Sequence, residues 1–266
     1  GGNLYGIAAR KSERTQLFPA FPWWGGIGPV AWSQVTSAIR RTGRLVPGLL
    51  GLAAIAAVAA FVFLQSYPAT VPEQFRAYAV HASLIASAYI GFLFAMTAQT
   101  GFAANRRLLT WYQVLPIRPF CIAAGMVIGT ATLLITIQLA LALPALAIST
   151  RSWFESMSLL FAGAAFHLAF ASVINCIAAT TDLRPVPQGT PDIFQGAKGI
   201  LFMFVLGIGM TPIVLFAAGT AGITGAILGF SWAYCSIGAV LAKSSVLPIL
   251  WRFSGERFVL RELSGD

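Results

Sequence analysis

Polar side chains that could carry chemistry are scarce in this sequence, and three of them fall inside long apolar segments: His81, His167 and Asn175. In hydrocarbon, such groups seek hydrogen-bond partners on neighbouring helices, and ionisable ones mark substrate or proton paths. Two histidines alone do not make a zinc site, which needs three or four ligands. We therefore expect interhelical hydrogen bonds at these positions, with a substrate path as the alternative and no metal.

Catalytic and nucleotide-binding motifs are absent from the sequence. It contains no Gly-x-x-x-x-Gly-Lys-Ser/Thr loop for ATP and no His-Glu-x-x-His metalloprotease pair. Ser231 lies in a Gly-Phe-Ser-Trp stretch, but no histidine follows it to act as its base. Glu155 lies at the outer edge of an apolar segment, and the interiors of these segments hold no Asp or Glu for a proton or sodium relay. We predict that the chain is not an enzyme, binds no cofactor itself, and draws on an energy source outside the chain.

The composition is that of an integral membrane protein. Of 266 residues, 58% are hydrophobic and 9% are charged, and the mean hydropathy is +0.79, whereas soluble domains are about 25% charged. Since helices satisfy their own backbone groups in lipid, we predict an all-α fold. The net charge of +9 lies mostly in short connections, which favours contact with the lipid bilayer over nucleic acid.

Six apolar segments are long enough to cross about 30 Å of hydrocarbon at about 1.5 Å per residue. The predicted spans are 45–64, 78–97, 120–143, 153–179, 199–218 and 221–241, and the last two are joined by a tight hairpin. This transmembrane domain, 45–242, leaves 243–266 as a tail. Fifteen of the seventeen Lys and Arg residues then lie on one side, and only Arg76 and Arg151 lie on the other. Positive charge stays in the cytoplasm during insertion, so both termini are predicted to be cytoplasmic.

An amphipathic helix is predicted just before the first span, over 29–44, after a Gly- and Pro-rich linker, 1–28. Trp32, Val35 and Ile39 share one side, while Gln34, Arg40 and Arg41 lie elsewhere. An apolar face beside a basic face is typical of a helix that lies in the membrane interface. We expect it on the cytoplasmic surface.

A second short helix is predicted between the second and third spans, over 103–115. Its apolar stripe is Leu108, Trp111, Tyr112 and Leu115, and Arg106 and Arg107 lie off that stripe. Trp, Tyr and Arg dominate the energetics of protein interfaces. The segment is therefore either a second interfacial helix or the docking element for a cytosolic partner.

The order of these parts resembles the type II ATP-binding-cassette exporter permeases, most closely ABC exporters of the kind found in planctomycete bacteria. The similar stretches are GIGPVAWSQ, at 26–34, and RLLTWYQVLPIRP, at 107–119. The resemblance extends over about 26–243, mostly as topology. In that group such a segment would be the C-terminal half of a larger chain, and this sequence begins with Gly1 and not Met.

The resemblance implies a function and a set of partners. Segment 29–44 would be the elbow helix, and 103–115 would be the coupling helix that docks on a separate cytosolic ATPase, where ATP is bound. A second permease half, or a second copy, would complete the transporter in the bacterial inner membrane.

The alternatives are a facilitator or membrane scaffold not linked to ATP and, more distantly, an intramembrane enzyme that uses His81, His167 and Asn175.

Overall fold

The structure is a computed structural model that describes residues 22–42, 72–97, 101–103, 116–181, 195–229 and 231–263, with single positions between 51 and 62. These residues are helical almost throughout and contain no strand. The helices are α1 (Ile27–Thr42), α2 (Glu73–Thr97), α3 (Pro119–Ile148), α4 (Trp153–Thr180), α5 (Gln195–Leu228) and α6 (Trp232–Leu263). Short 3-10 turns lie at Trp24–Gly26 and Gly101–Ala103.

Four stretches of helix in the described part of the chain are long and apolar enough to cross a membrane. They are Pro119–Ile148, Trp153–Thr180, Gly199–Leu228 and Ala233–Arg257. This agrees with an all-helical membrane protein. The second predicted span is present as α2, which is not among these four and carries the polar residues His81, Ser83 and Ser87. Most of the first predicted span lies outside the described residues; Ile55, Val58 and Val62 within it are helical and exposed.

The chain reverses between the last two spans ten residues later than the sequence indicated. Gly219 and Thr220, where the hairpin was expected, lie inside α5, and the turn is at Gly229, which has φ of 101°. The Thr220 hydroxyl donates to Phe216 O within its own helix, and the backbone stays helical through Leu228. The last candidate span is therefore Ala233–Arg257, and the predicted tail from 243 is largely a continuation of this helix.

Two ends of the bundle can be defined from the contacts between helices. Gly255 of α6 packs against the backbone of Pro119, where α3 begins, and we call this the Pro119 end. The opposite end holds the Gly229 turn and is called the Gly229 end. Helices α4 and α6 run in the same direction: Lys243 contacts Ala162, and Trp251 Nε1 donates to Ser172 Oγ at 2.9 Å.

The main core lies where α4, α5 and α6 meet. Its centre is a set of buried aliphatic and aromatic side chains, among them Phe170, Val173, Phe202, Leu206 and Leu247. Leu134 of α3 joins the same cluster, and Phe92 of α2 packs against it. Because α3 also contacts α1 and α2, it connects the two sides of the bundle.

Helix α1 packs lengthwise on α3 through two glycines spaced four residues apart. A Cβ on Gly125 would lie 2.6 Å from Val30 Cβ, and a Cβ on Gly129 would lie 2.7 Å from Gln34 Cβ. One turn further along α3, Leu133 contacts Val35 and Ala38. The small-xxx-small spacing, which allows close approach of helices, therefore serves α1. The predicted position of α1 in a membrane interface stays a prediction.

The Gly229 end is held together by the two arginines that the sequence placed apart from all the others. Arg76 Nε donates to Ile148 O at 3.1 Å, and Arg151 Nε donates to Ala77 O at 2.8 Å. Arg151 also lies 3.6 Å from Glu155. These contacts fix the start of α2 against the connection between α3 and α4.

Candidate functional site

The buried hydrogen bonds that join the residues most distant in sequence converge on the turn that follows α2. Asn175 Oδ1 of α4 accepts a hydrogen bond from the backbone N–H of Phe102 at 2.8 Å. Gln34 Oε1 of α1 accepts one from the N–H of Gly101 at 3.1 Å. Asn175 Nδ2 is also used, since it donates to Ala171 O within α4. Two helices from distant parts of the chain thus bind one short turn, and we call this set the amide clamp.

The clamp is closed to solvent and fitted tightly. Asn175 and Phe102 are each 1% exposed, and Gln34 is 5% exposed. Buried backbone N–H groups are costly to leave unpaired, so the two amide side chains are specific requirements of this turn. Gly101 has φ of 60°, and a Cβ there would collide with Asn175 Oδ1. Only glycine combines this backbone conformation with so close an approach.

The sequence singled out Asn175 but missed Gln34. It assigned Gln34 to the polar side of α1, and the structure places it on the buried side with Val30, Ala31, Val35 and Ala38. A signal was present, because Ala31, Gln34, Val35 and Ala38 follow the i, i+3, i+4, i+7 pattern of one helical face. A polar residue within such a stripe indicates a buried hydrogen bond.

The residues predicted on α1 fall into two groups. Val35 is 3% exposed, and Ile39 packs beside it against Leu133 of α3. Trp32 is half-buried and Arg40 is exposed, while the side chain of Arg41 lies outside the described residues. The apolar stripe is therefore occupied in large part by α3.

The predicted docking residues of the 103–115 segment also lie outside the described residues: Arg106, Arg107, Leu108, Trp111, Tyr112 and Leu115. The structure does describe the residues on either side of this segment. Ala103 ends the turn that the amide clamp holds, and the described chain resumes at Pro116. Ile117 then packs with Phe102 and Ile122 in one cluster, so both ends of the segment are tied to the same part of the bundle.

The two histidines lie at different depths, as the sequence predicted. His81 is half-buried near the Gly229 end, edge-on to the Tyr78 ring at 5.7 Å. His167 is 1% exposed in the middle of α4, and a Cβ on Gly91 of α2 would lie 3.3 Å from its Cε1. His81 and Gly91 are ten residues apart on α2, or about 15 Å along its axis. The histidines therefore form no joint site, and within the described ranges no three His, Cys, Asp or Glu side chains could hold a metal ion.

A cation that the sequence placed in the tail lies instead in the middle of the last span. Lys243 is ten residues from Ala233 and fourteen from Arg257, the limits of that span. Its Nζ donates to Ala162 O of α4 at 3.2 Å and lies 5.6 Å from the centre of the Phe166 ring. Sequence reasoning missed it because the preceding hairpin was placed ten residues too early. Lys243 therefore lies within a candidate span and not in the tail that the sequence predicted.

Comparison with known protein families, with curated proteins and with solved structures finds no match to this chain.

Proposed function

We propose that this chain is the transmembrane permease component of an ATP-driven exporter in a bacterial inner membrane. A separate cytosolic ATPase would bind ATP and dock on the helix predicted at 103–115. A second permease half, or a second copy of the chain, would complete the transport path. Both termini would be cytoplasmic, so the Pro119 end would face the ATPase.

The amide clamp is the observation that carries this proposal. A coupling helix has to pass a displacement to the membrane helices, and this requires a stiff connection at its root. Gln34 and Asn175 bind the backbone of the turn directly before the segment. A push on that segment would therefore reach α1 and α4 through buried hydrogen bonds and not through a slack loop.

The exposed surface of α5 is consistent with a second half. Large apolar side chains such as Phe204, Ile208 and Leu215 are 58–67% exposed. Either lipid or another permease half would cover this face in a membrane.

Lys243 favours one alternative, a facilitator without an ATPase. A charge at mid-span is expensive in hydrocarbon and marks a possible path for an anion. A passive path would use this residue and would not depend on the 103–115 segment.

The deciding experiment is a mild-detergent pull-down of the natural protein, with mass spectrometry of what accompanies it. An Arg106→Glu/Trp111→Ala variant is compared with Arg252→Gln, which changes an exposed arginine on α6. The proposal expects an ATP-binding subunit with the natural protein and with Arg252→Gln, and its loss with the double variant. Absence of any ATPase from a folded preparation would favour the facilitator or a membrane scaffold.

A second measurement separates docking from transmission. Gln34→Ala should leave the ATPase bound, because it does not alter the predicted docking stripe. It should reduce substrate-stimulated ATP hydrolysis in the reconstituted complex, because one of the two links at the root of the segment is lost. Unchanged stimulation would show that the clamp has a structural role only.

A further inference from the structure

Lys243 presents an unbalanced charge at the middle of the bundle. No carboxylate pairs with it among the residues that the structure describes; its contacts are the Ala162 carbonyl and the Phe166 ring. An ammonium group has three N–H donors, and one carbonyl uses one of them. Lysines near helix ends extend to the membrane surface. Lys243 lies about 15 Å or more along the axis from either end of its span, which is too far for its four-carbon stem.

An apolar groove of about 380 Å³ lies between α4 and α6, and its lining residue Val240 is one turn before Lys243. Phe154, Met157 and Phe161 line it from α4, and Ile237, Val240 and Leu241 line it from α6. The Ser158 hydroxyl also borders it but donates to Glu155 O at 2.8 Å. The groove therefore offers a surface for a hydrocarbon chain and little for a polar group.

Lys243 is not among the residues that line the groove, but it is close to them along both helices. Phe161 directly precedes Ala162, whose carbonyl binds Lys243, and Val240 lies one turn before Lys243 on α6. The groove extends from there towards the Gly229 end. It opens to the side of the bundle, since Phe161 and Leu241 are 67% and 63% exposed. A molecule dissolved in the bilayer could enter sideways.

We propose that the α4–α6 groove and Lys243 form a binding site for a single-chain anionic amphiphile. The alkyl chain lies along the groove, and the anionic head group pairs with the ammonium. A cation would be repelled, and a neutral chain would leave the half-buried charge of Lys243 uncompensated. The groove volume of about 380 Å³ falls within the range of small-molecule sites, about 300–1,000 Å³. The further idea that the amphiphile is the exported substrate rests on the proposed function; the binding site does not.

Photolabelling of the full chain in phosphatidylcholine nanodiscs tests the site. The probes are a long-chain fatty acid with a diazirine in its tail and the alcohol of the same chain. The fatty acid should label residues within 154–161 and 237–241 at least tenfold more than the alcohol does. Equal labelling by acid and alcohol, or labelling elsewhere, would overturn the proposal.

Three variants assign the roles of charge and groove. Lys243→Met should abolish the preference for the acid, and Lys243→Arg should retain it. Leu241→Trp should block labelling by filling the groove while the lysine remains, so a decision is possible even if Lys243→Met does not fold. Arg252→Gln is the matched control and should behave like the natural chain. Persistence of the preference in Lys243→Met or of labelling in Leu241→Trp would count against the site.

A competition arm distinguishes the source of the anion. Unlabelled fatty acid should displace the probe, and phosphatidylglycerol in the nanodisc should not. Displacement by phosphatidylglycerol would reject the single-chain assignment in favour of a two-chain anionic lipid. Because the assay contains no ATPase and no transport step, its failure would leave the ATP-linked proposal standing, and the reverse also holds.

Discussion

Asn175 Oδ1 accepts a hydrogen bond from the backbone N–H of Phe102 at 2.8 Å, which joins residues 73 positions apart. Both partners are buried, so water does not compete for the bond. The contact ties the middle of the chain to the turn that precedes the 103–115 segment. Its strength determines how firmly this turn is held.

Replacing Asn175 with alanine should lower the free energy of unfolding by about 1–3 kcal/mol, because the buried Phe102 N–H would lose its acceptor. Thermal unfolding in detergent, followed by helical circular dichroism, measures the change. Thr180→Ala is the control on the same helix: its exposed hydroxyl bonds only within α4, so its effect should stay within about 0.5 kcal/mol. Equal effects of the two changes would contradict the clamp.

Gly101→Ala should destabilise the protein at least as much as Asn175→Ala. The new Cβ would displace the Asn175 oxygen, and alanine disfavours a φ of 60° by about 1–2 kcal/mol. Gly207→Ala is the matched control, because nothing lies near a Cβ at that helical position. It should be neutral or stabilising by up to about 1 kcal/mol. Gly101→Ala should therefore lower the melting temperature and Gly207→Ala should not; an equal decrease in both variants would refute the assignment.

The packing of α1 along α3 predicts a specific disulfide cross-link. In a background without Cys121, Cys176 and Cys235, the pair Ala38→Cys and Leu133→Cys should cross-link readily, because both residues belong to one buried cluster. Arg40→Cys with Leu133→Cys should cross-link poorly, since Arg40 is exposed. Gel mobility with and without reductant gives the answer. A stronger cross-link from Arg40 would mean that α1 is rotated or lies elsewhere.

The turn at Gly229 predicts where the chain emerges between the last two spans. A cysteine at Ser231 should react with a membrane-impermeant maleimide, because this residue lies in the turn. A cysteine at Thr220 should be protected, because Thr220 lies within α5 and its hydroxyl donates to Gly238 O of α6 at 3.1 Å. The reverse pattern would support the earlier hairpin at 219–220.

The sequence predicted the class of fold better than it predicted the positions of the turns between helices. Apolar length reveals a span, and the third and fourth spans agree with α3 and α4 to within a few residues. The continuous apolar run from 199 to 242 contains several glycines, and composition cannot tell which one adopts a positive φ. Only the fold shows that Gly229 does so and that Gly219 does not.

The hydrogen-bond partners of buried polar residues were harder to predict from the sequence than the positions of those residues. The sequence identified Asn175 as a buried polar group, but its acceptor role depends on Gly101 and Phe102, which approach from the turn that follows α2. Gln34 was missed because its side of α1 is defined by contact with α3, which is distant in sequence. Lys243 was misplaced together with the hairpin before it.

The close packing of α1 against α3 imposes an order on biosynthesis. Val30 leaves the ribosome 95 residues ahead of Gly125, its neighbour in the folded chain. At about 5–20 residues per second, the apolar side of α1 waits for about 5–20 s without its partner. During that interval we expect lipid or an insertion factor to cover it. The apolar side of α1 would thus contact lipid or an insertion factor first, and α3 only after α3 has been synthesised.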